Sequence, residues 1–147
     1  MPGTVRLHRV FTAPPARVFK AFTTAEAMVK WLPPNGFTAK VHSIDAKQGG
    51  SYRMSFTNFS SGNSHSFGGT YLEFVPGEKL RYEDKFDDPN LPGAMTVTIS
   101  FKKVSVGTEL HVEQSGIPDA IPVEGCYLGW QESLDQLKQL VNPEIPD

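Results

Sequence analysis

The segment Gly125–Val141, GCYLGWQESLDQLKQLV, is the one long run in this chain whose apolar residues recur at a helical period. Stepping about 100° per residue from Trp130, the residues Cys126, Tyr127, Leu134, Leu137 and Val141 fall on the same side, while Gln131, Glu132, Asp135 and Gln139 fall away from it. The spacing predicts a helix that buries one stripe. At about 1.5 Å per residue it is about 25 Å long, enough to lie across a small sheet. Pro122 and Glu124 suit its first turn, where a missing N–H is harmless and negative charge meets the positive end of the helix dipole. Asn142-Pro143 ends it. Gly125 and Gly129 lie one turn apart on the flank of the stripe, where absent side chains either admit closer packing or leave a void. Leu128, almost opposite the stripe, is a candidate for self-association between copies of the chain.

Upstream the pattern changes to that of strands. Val5–Phe11 alternates in the manner of a strand without settling which face is buried. Pro14-Pro15 then opens a short helix whose apolar face is Val18, Phe19 and Phe22. Thr23-x-x-Glu26 is a capping-box sequence for a second helix carrying Met28 and Trp31, which Pro33-Pro34 stops. From Phe37 onward, short alternating runs separated by turn residues predict six more strands: Phe37–Asp45, Gly50–Phe59, Ser66–Val75, Lys79–Asp87, Met95–Val104 and Thr108–Gln114.

Strand parity says which residues share a face. Tyr52, Met54 and Phe56 go together, as do Leu80, Tyr82, Asp84 and Phe86, and again Met95, Val97, Ile99 and Phe101. In Ser66–Val75 the pairs Gly69-Tyr71 and Leu72-Phe74 have opposite parity, which leaves the buried side open and suggests a bulge. A strand, two short helices, six strands and a long terminal helix make an α+β fold, a curved antiparallel sheet of about seven strands wrapped around the C-terminal helix.

With 147 residues the chain fits one domain with one core, and no staple is needed. Fourteen Lys and Arg against 16 Asp and Glu give a net charge of −2, with no basic run to track phosphates, so nucleic acid is not an expected partner. The single Cys126 cannot form an internal disulfide, and no stretch of 18 apolar residues or secretory leader is visible, so a cytoplasmic protein with no membrane partner is expected. His8, His42, His65 and His111 have no metal-ligand spacing, and phosphate-loop, dinucleotide and serine-hydrolase motifs are missing, so neither metal nor cofactor is expected.

A sheet closing on a helix leaves space between them, and large aromatic and methionine side chains on the facing surfaces would line an apolar pocket. The plainer reading is that they fill it. Its entrance is expected between the N-terminal half of the long helix and the loops that face it, with Cys126, Trp130, Tyr52, Met54, Tyr82 and Met95 in the wall. Trp31 and Phe56 join them among the aromatics, and Gln114, sharing parity with Leu110 and Val112, brings an amide to the mouth. Tyr52, Tyr82 and Trp130 each need a hydrogen-bond partner if buried. Asp84, on an apolar face, must be paired or have a raised pKa, unless it sits at a strand end near solvent. Arg53 is a poor partner for it by parity. Cys126, near a helix N-terminus and within possible reach of His42 or His111, is either a nucleophile or a small residue packed beside Trp130.

Five segments, in order, resemble a known family. They are Leu7 to Trp31, containing APPARVFKAFTTAEAMVKW; Asp45-x-x-x-Gly49-Gly50-x-Tyr52-Arg53; Gly69-Thr70-Tyr71-Leu72-Glu73-Phe74-Val75-Pro76; Gly107-Thr108-Glu109-Leu110; and Gly129-Trp130 with Leu134 and Leu137. Together they resemble the START-like (SRPBCC) superfamily, in its branch of activator-of-heat-shock-protein-ATPase homologues. The resemblance implies a helix-grip fold and the binding of a small hydrophobic or aromatic ligand between long helix and sheet, as carrier or sensor. It also implies two alternatives, a cofactor-free enzyme of the polyketide cyclase or aromatase type and a module stimulating a chaperone ATPase; for the enzyme, the titratable groups the sequence itself offers are Asp84, His42 and His111. These motifs are structural and carry no active site across.

Overall fold

In the computed structural model, which describes residues 3–147, the chain forms β1 (Gly3–Phe11), α1 (Pro15–Thr23), α2 (Ala25–Trp31), β2 (Phe37–Ile44), β3 (Ser51–Asn58), β4 (Ser64–Val75), β5 (Lys79–Phe86), β6 (Met95–Val104), β7 (Gly107–Ile117) and α3 (Val123–Val141). The strands make one sheet in the order β1-β7-β6-β5-β4-β3-β2, with every neighbouring pair antiparallel. Five hairpin connections lay β2 to β7 side by side, and β1 returns to pair with β7. The helices α1 and α2 therefore carry the chain from one edge of the sheet to the other. The expected α+β helix-grip architecture is the observed one.

Apolar alternation sets the inner face. β1 buries Val5 and Phe11 and turns Arg6, His8 and Val10 outward, and β6 buries Met95, Val97, Ile99 and Phe101 in strict alternation. In β4 the register against β5 shifts between Tyr71 and Glu73. Leu72 is the extra residue, which is why Phe67 and Tyr71 can be buried on one parity while Phe74 packs against the same core on the other. Next to this bulge, a side chain at Gly69 would collide with the Glu83 carbonyl oxygen, so β4 and β5 approach there only because Gly69 has none.

The main core joins Val18, Phe22 and Trp31 of the short helices to Leu80, Ile99, Phe101 and Leu110 of the sheet and to Leu134, Leu137 and Val141 of α3. Trp31 is fully buried and its indole N–H donates to the Ala21 carbonyl at 2.8 Å. Hydrogen bonds from Ser133 Oγ to the Leu32 carbonyl (2.6 Å) and from Gln136 Nε2 to those of Trp31 (3.0 Å) and Pro33 (2.7 Å) tie α3 to the end of α2. A smaller cluster of Val5, Met95 and Ile117 lies under the other end of α3, against Val123, Cys126, Tyr127 and Trp130. Arg9 pairs with Asp135 at 2.6 Å, and the Arg6 amide donates to the Tyr127 hydroxyl at 3.1 Å, so the helix is anchored to β1 at two levels.

Two local expectations are corrected. Thr23 does not open α2: it is the last residue of α1, its hydroxyl donates back to the Phe19 carbonyl at 3.0 Å, and Thr24 in extended conformation is the boundary residue, without a side-chain cap. The long helix begins at Val123, with Pro122 outside it as the N-cap rather than in its first turn.

Candidate functional site

Because α3 packs on β1 and on the short helices rather than on the middle of the sheet, its N-terminal half stands off from β3 to β5. The gap is a cavity of about 880 Å³, within the usual range of about 300–1,000 Å³ for ligand sites. Every residue named from the sequence as pocket-lining borders it: Trp31 from α2, Tyr52, Met54 and Phe56 from β3, Tyr82 and Asp84 from β5, Met95 from β6, Gln114 from β7, and Cys126 and Trp130 from α3. Gly129 also lines it, and a Cβ there would meet no atom within 4 Å, so of the two readings of this glycine the void is the observed one. Gly125 is exposed and is not part of the wall.

Three tyrosines and one carboxylate form the polar end. Tyr52 on β3 is paired in register with Gly69 on β4, and Gly69 in turn abuts the backbone of Glu83 and Asp84 on β5. With no side chain at Gly69 in the way, the Tyr52 hydroxyl reaches across β4 and donates to Asp84 Oδ1 at 2.8 Å. The ring centroids of Tyr52, Tyr71 and Tyr82 lie 5.5 to 6.2 Å apart. Loss of solvation raises the Asp84 carboxyl to about 6, against the hydrogen bonds from Tyr52 and the Lys85 backbone, which favour the anion. Burial, reinforced by the neighbouring Asp84 charge, raises Tyr52 and Tyr82 well above the ordinary phenol value, and burial alone puts Tyr71 at about 12. All three phenols are therefore neutral hydrogen-bond donors at physiological pH.

Asp84 is thus not a strand-end residue in water. It lies within β5 and faces the cavity, and the surface it retains is cavity surface. Arg53, as parity indicates, is on the opposite face, where it forms a two-pronged ion pair with Asp87 that holds that carboxyl below its usual range.

At the helix side, Gln114 links two walls. Its Oε1 accepts from the Trp130 indole N–H at 2.8 Å and its Nε2 donates to Met95 Sδ at 3.3 Å. Trp130 is half-buried, not a core residue. Cys126 is half-buried as well, and burial raises its thiol pKa, the reverse of nucleophile activation. Neither candidate partner is near: His111 is on the outer face of β7, bonded to Glu109 at 2.7 Å and stacked on His8, while His42 on β2 faces solvent and meets Ser55. Of the three titratable groups that an enzyme reading requires, Asp84 alone lines the cavity.

The cavity is also bordered by Ser64 and His65 at the start of β4 and by Asp87, Asp88, Pro89 and Leu91 after β5, most of them exposed. The sequence names none of these individually as cavity-lining, because loop residues carry no periodicity. Among the described residues no helix is long and apolar enough to cross a membrane.

The family profile described as Activator of Hsp90 ATPase homolog 1-like protein matches residues 12–142. Among solved structures, protein CV1439 from Chromobacterium violaceum is 58% identical, with a TM-score of 0.96 over 98% of this chain and 100% of its own. Protein NE0264 from Nitrosomonas europaea has the same fold at 21% identity, with a TM-score of 0.80 over 94% of this chain and 93% of that one. So does a protein from Arthrobacter aurescens at 16% identity, with a TM-score of 0.84 over 94% and 85%. No match was found among curated proteins.

Proposed function

From the premise that this chain belongs to the family of Activator of Hsp90 ATPase homolog 1-like proteins, we propose that it binds a small hydrophobic or aromatic molecule between α3 and the sheet, as a carrier or sensor. The observation that supports this is the cavity of about 880 Å³, walled by aromatic and methionine side chains, with polar groups gathered at two points, Tyr52–Asp84 and Gln114–Trp130. An apolar void forfeits the dispersion contacts that packing would supply, so a protein keeping one of this size gives up stability that a bound molecule restores. The paired polar groups fix orientation, and the apolar walls supply affinity.

Native mass spectrometry of protein purified without detergent tests the proposal, and a co-purified small molecule is the expected result. Titration with an apolar fluorescent probe provides the second arm, with saturable binding at one site expected. Protein that carries nothing and leaves the probe unbound would remove this reading.

A further inference from the structure

The charge pattern of the cavity narrows the ligand, on the premise of the binding function just proposed. Among the described residues no lysine or arginine lines the wall, and the ionisable side chains there, besides His65, the tyrosines and the cysteine, are carboxylates: Asp84 inside, and Asp87 and Asp88 at the mouth. Asp87 is engaged by Arg53 on the outer face. Among the described residues Asp84 has no cationic partner. Its protein contacts are the donor hydroxyl of Tyr52 and the backbone N–H of Lys85, whereas a carboxylate offers about four lone-pair positions. Tyr52 donates to it, the Tyr82 phenol feels its charge, and the ring of Tyr71 packs against both of those tyrosines. No hydrogen bond from a described residue engages the hydroxyl of Tyr71 or Tyr82.

We propose that the cavity selects amphiphilic cations, an aromatic or aliphatic body carrying a protonated amine, with the ammonium group seated on Asp84 beside Tyr52 and Tyr82. An enclosed carboxylate without a counterion is met best by a cation, and aromatic faces add quadrupole attraction to the same charge. Gln114 has its amide engaged by Trp130 and Met95, and the aromatic and methionine side chains that line the rest of the wall are left to the apolar body. Fatty acids and other hydrophobic anions are disfavoured by the same geometry, since their carboxylate would face Asp84 with no positive group in the wall to receive it.

Three probes of similar shape separate the possibilities: naphthylmethylamine, naphthylmethanol and naphthoate, titrated by calorimetry at about pH 7.5, where the amine is protonated and the acid ionised. The amine is expected to bind about ten- to a hundredfold more tightly than the alcohol, with naphthoate the weakest. From β5 the site is faced by Asp84 and the phenol of Tyr82, and from β3 and β4 by the phenols of Tyr52 and Tyr71, all three neutral; His65 at the start of β4, Asp87 and Asp88 after β5 and Cys126 on α3 border the cavity elsewhere. The preference is therefore expected to hold above about pH 6 and to fade as Asp84 is protonated below it. In Asp84→Asn, with its fold checked by circular dichroism, the ratio of amine to naphthoate affinity is expected to fall close to one. Naphthoate binding as tightly as the amine to the wild type overturns the proposal while naphthylmethanol binding preserves the pocket. An amine preference unchanged in Asp84→Asn also overturns it. Failure of all three probes to bind overturns the ligand-binding function with it.

Discussion

From Ser133 to Val141, α3 buries Ser133, Leu134, Leu137 and Val141, whereas from Val123 to Trp130 not one residue is fully buried. Both halves carry the same apolar stripe, so the difference does not come from the helix. It comes from what lies beneath. Under the C-terminal half, α1 and α2 fill the space against the sheet, and three hydrogen bonds from Ser133 and Gln136 to the carbonyls of Trp31, Leu32 and Pro33, at and just past the end of α2, lock the contact. Under the N-terminal half the short helices have ended, Gly129 contributes nothing, and the small cluster around Met95 closes only the β1 side. One half of the helix holds the fold together, and the other half roofs the cavity.

The sharpest way to break this contrast is truncation on each side. Leu134→Ala removes a fully buried side chain from a filled core and is expected to cost about 2–5 kcal/mol in denaturant unfolding. A buried tryptophan would cost more, about 3–5 kcal/mol, and that is the value the helical stripe alone leads one to expect for Trp130→Ala. Half-buried beside an existing void, Trp130 should cost only about 2 kcal/mol, mostly through Gln114 and the smaller cluster. A larger loss from Trp130→Ala than from Leu134→Ala would show that the two halves are packed alike.

The next effect has the opposite sign. In the folded chain burial raises the Asp84 carboxyl to about 6, above the ordinary carboxyl value of 3.8. Below about pH 4 the carboxyl is protonated in both folded and unfolded chains and costs nothing. Between about 4 and 6 the unfolded chain ionises first, so stability falls as pH rises, and above about 6 the cost levels off. The difference between the folded and unfolded values corresponds to about 3 kcal/mol at the plateau. Asp84→Asn, which keeps an acceptor for Tyr52, should therefore be more stable than wild type near neutral pH, by up to about 3 kcal/mol, with the advantage vanishing near pH 4. Urea unfolding at the two pH values measures it. Equal stability at both would mean that Asp84 is solvated, and the polar end of the cavity would lose its distinctive charge. A residue whose removal stabilises the fold is one whose place is explained by something other than folding.

These features were unequally legible in the sequence. Period-two alternation in β3, β5 and β6 names the residues on the inner face because every strand there is regular, and the stripe of α3 names its buried side for the same reason. The β4 run defeats that reading because Leu72 is an extra residue, and one insertion reverses the parity of everything after it. Thr23 and Thr24 could not be told apart as caps, since two helices abut there and the hydroxyl of the first turns back to its own helix. Asp84 was assigned to the right face, but its partner lies two strands away. The contact depends on a glycine in the intervening strand, and the register that places Gly69 between Tyr52 and Asp84 is not readable from local pattern. The mouth loops, held by turns and not by periodicity, left the weakest trace.

The smallest expected change in stability tests the cavity most directly. At Gly129 an added Cβ meets open space, so a side chain can start there without displacing a neighbour. The position lies inside α3, where replacing glycine by a good helix former is favourable by up to about 1 kcal/mol. The same side chain projects from a residue that borders the cavity and would occupy its roof beside Trp130. Gly129→Leu should therefore raise the unfolding midpoint slightly while abolishing saturable binding of an apolar fluorescent probe. Coupled changes of opposite sign are the signature, because ordinary damage to a fold lowers stability and binding together. A folded Gly129→Leu protein that still binds the probe with wild-type affinity would place the ligand away from α3, deeper against β3 and β4, and would reduce the contrast between the two halves of the helix to one of packing alone.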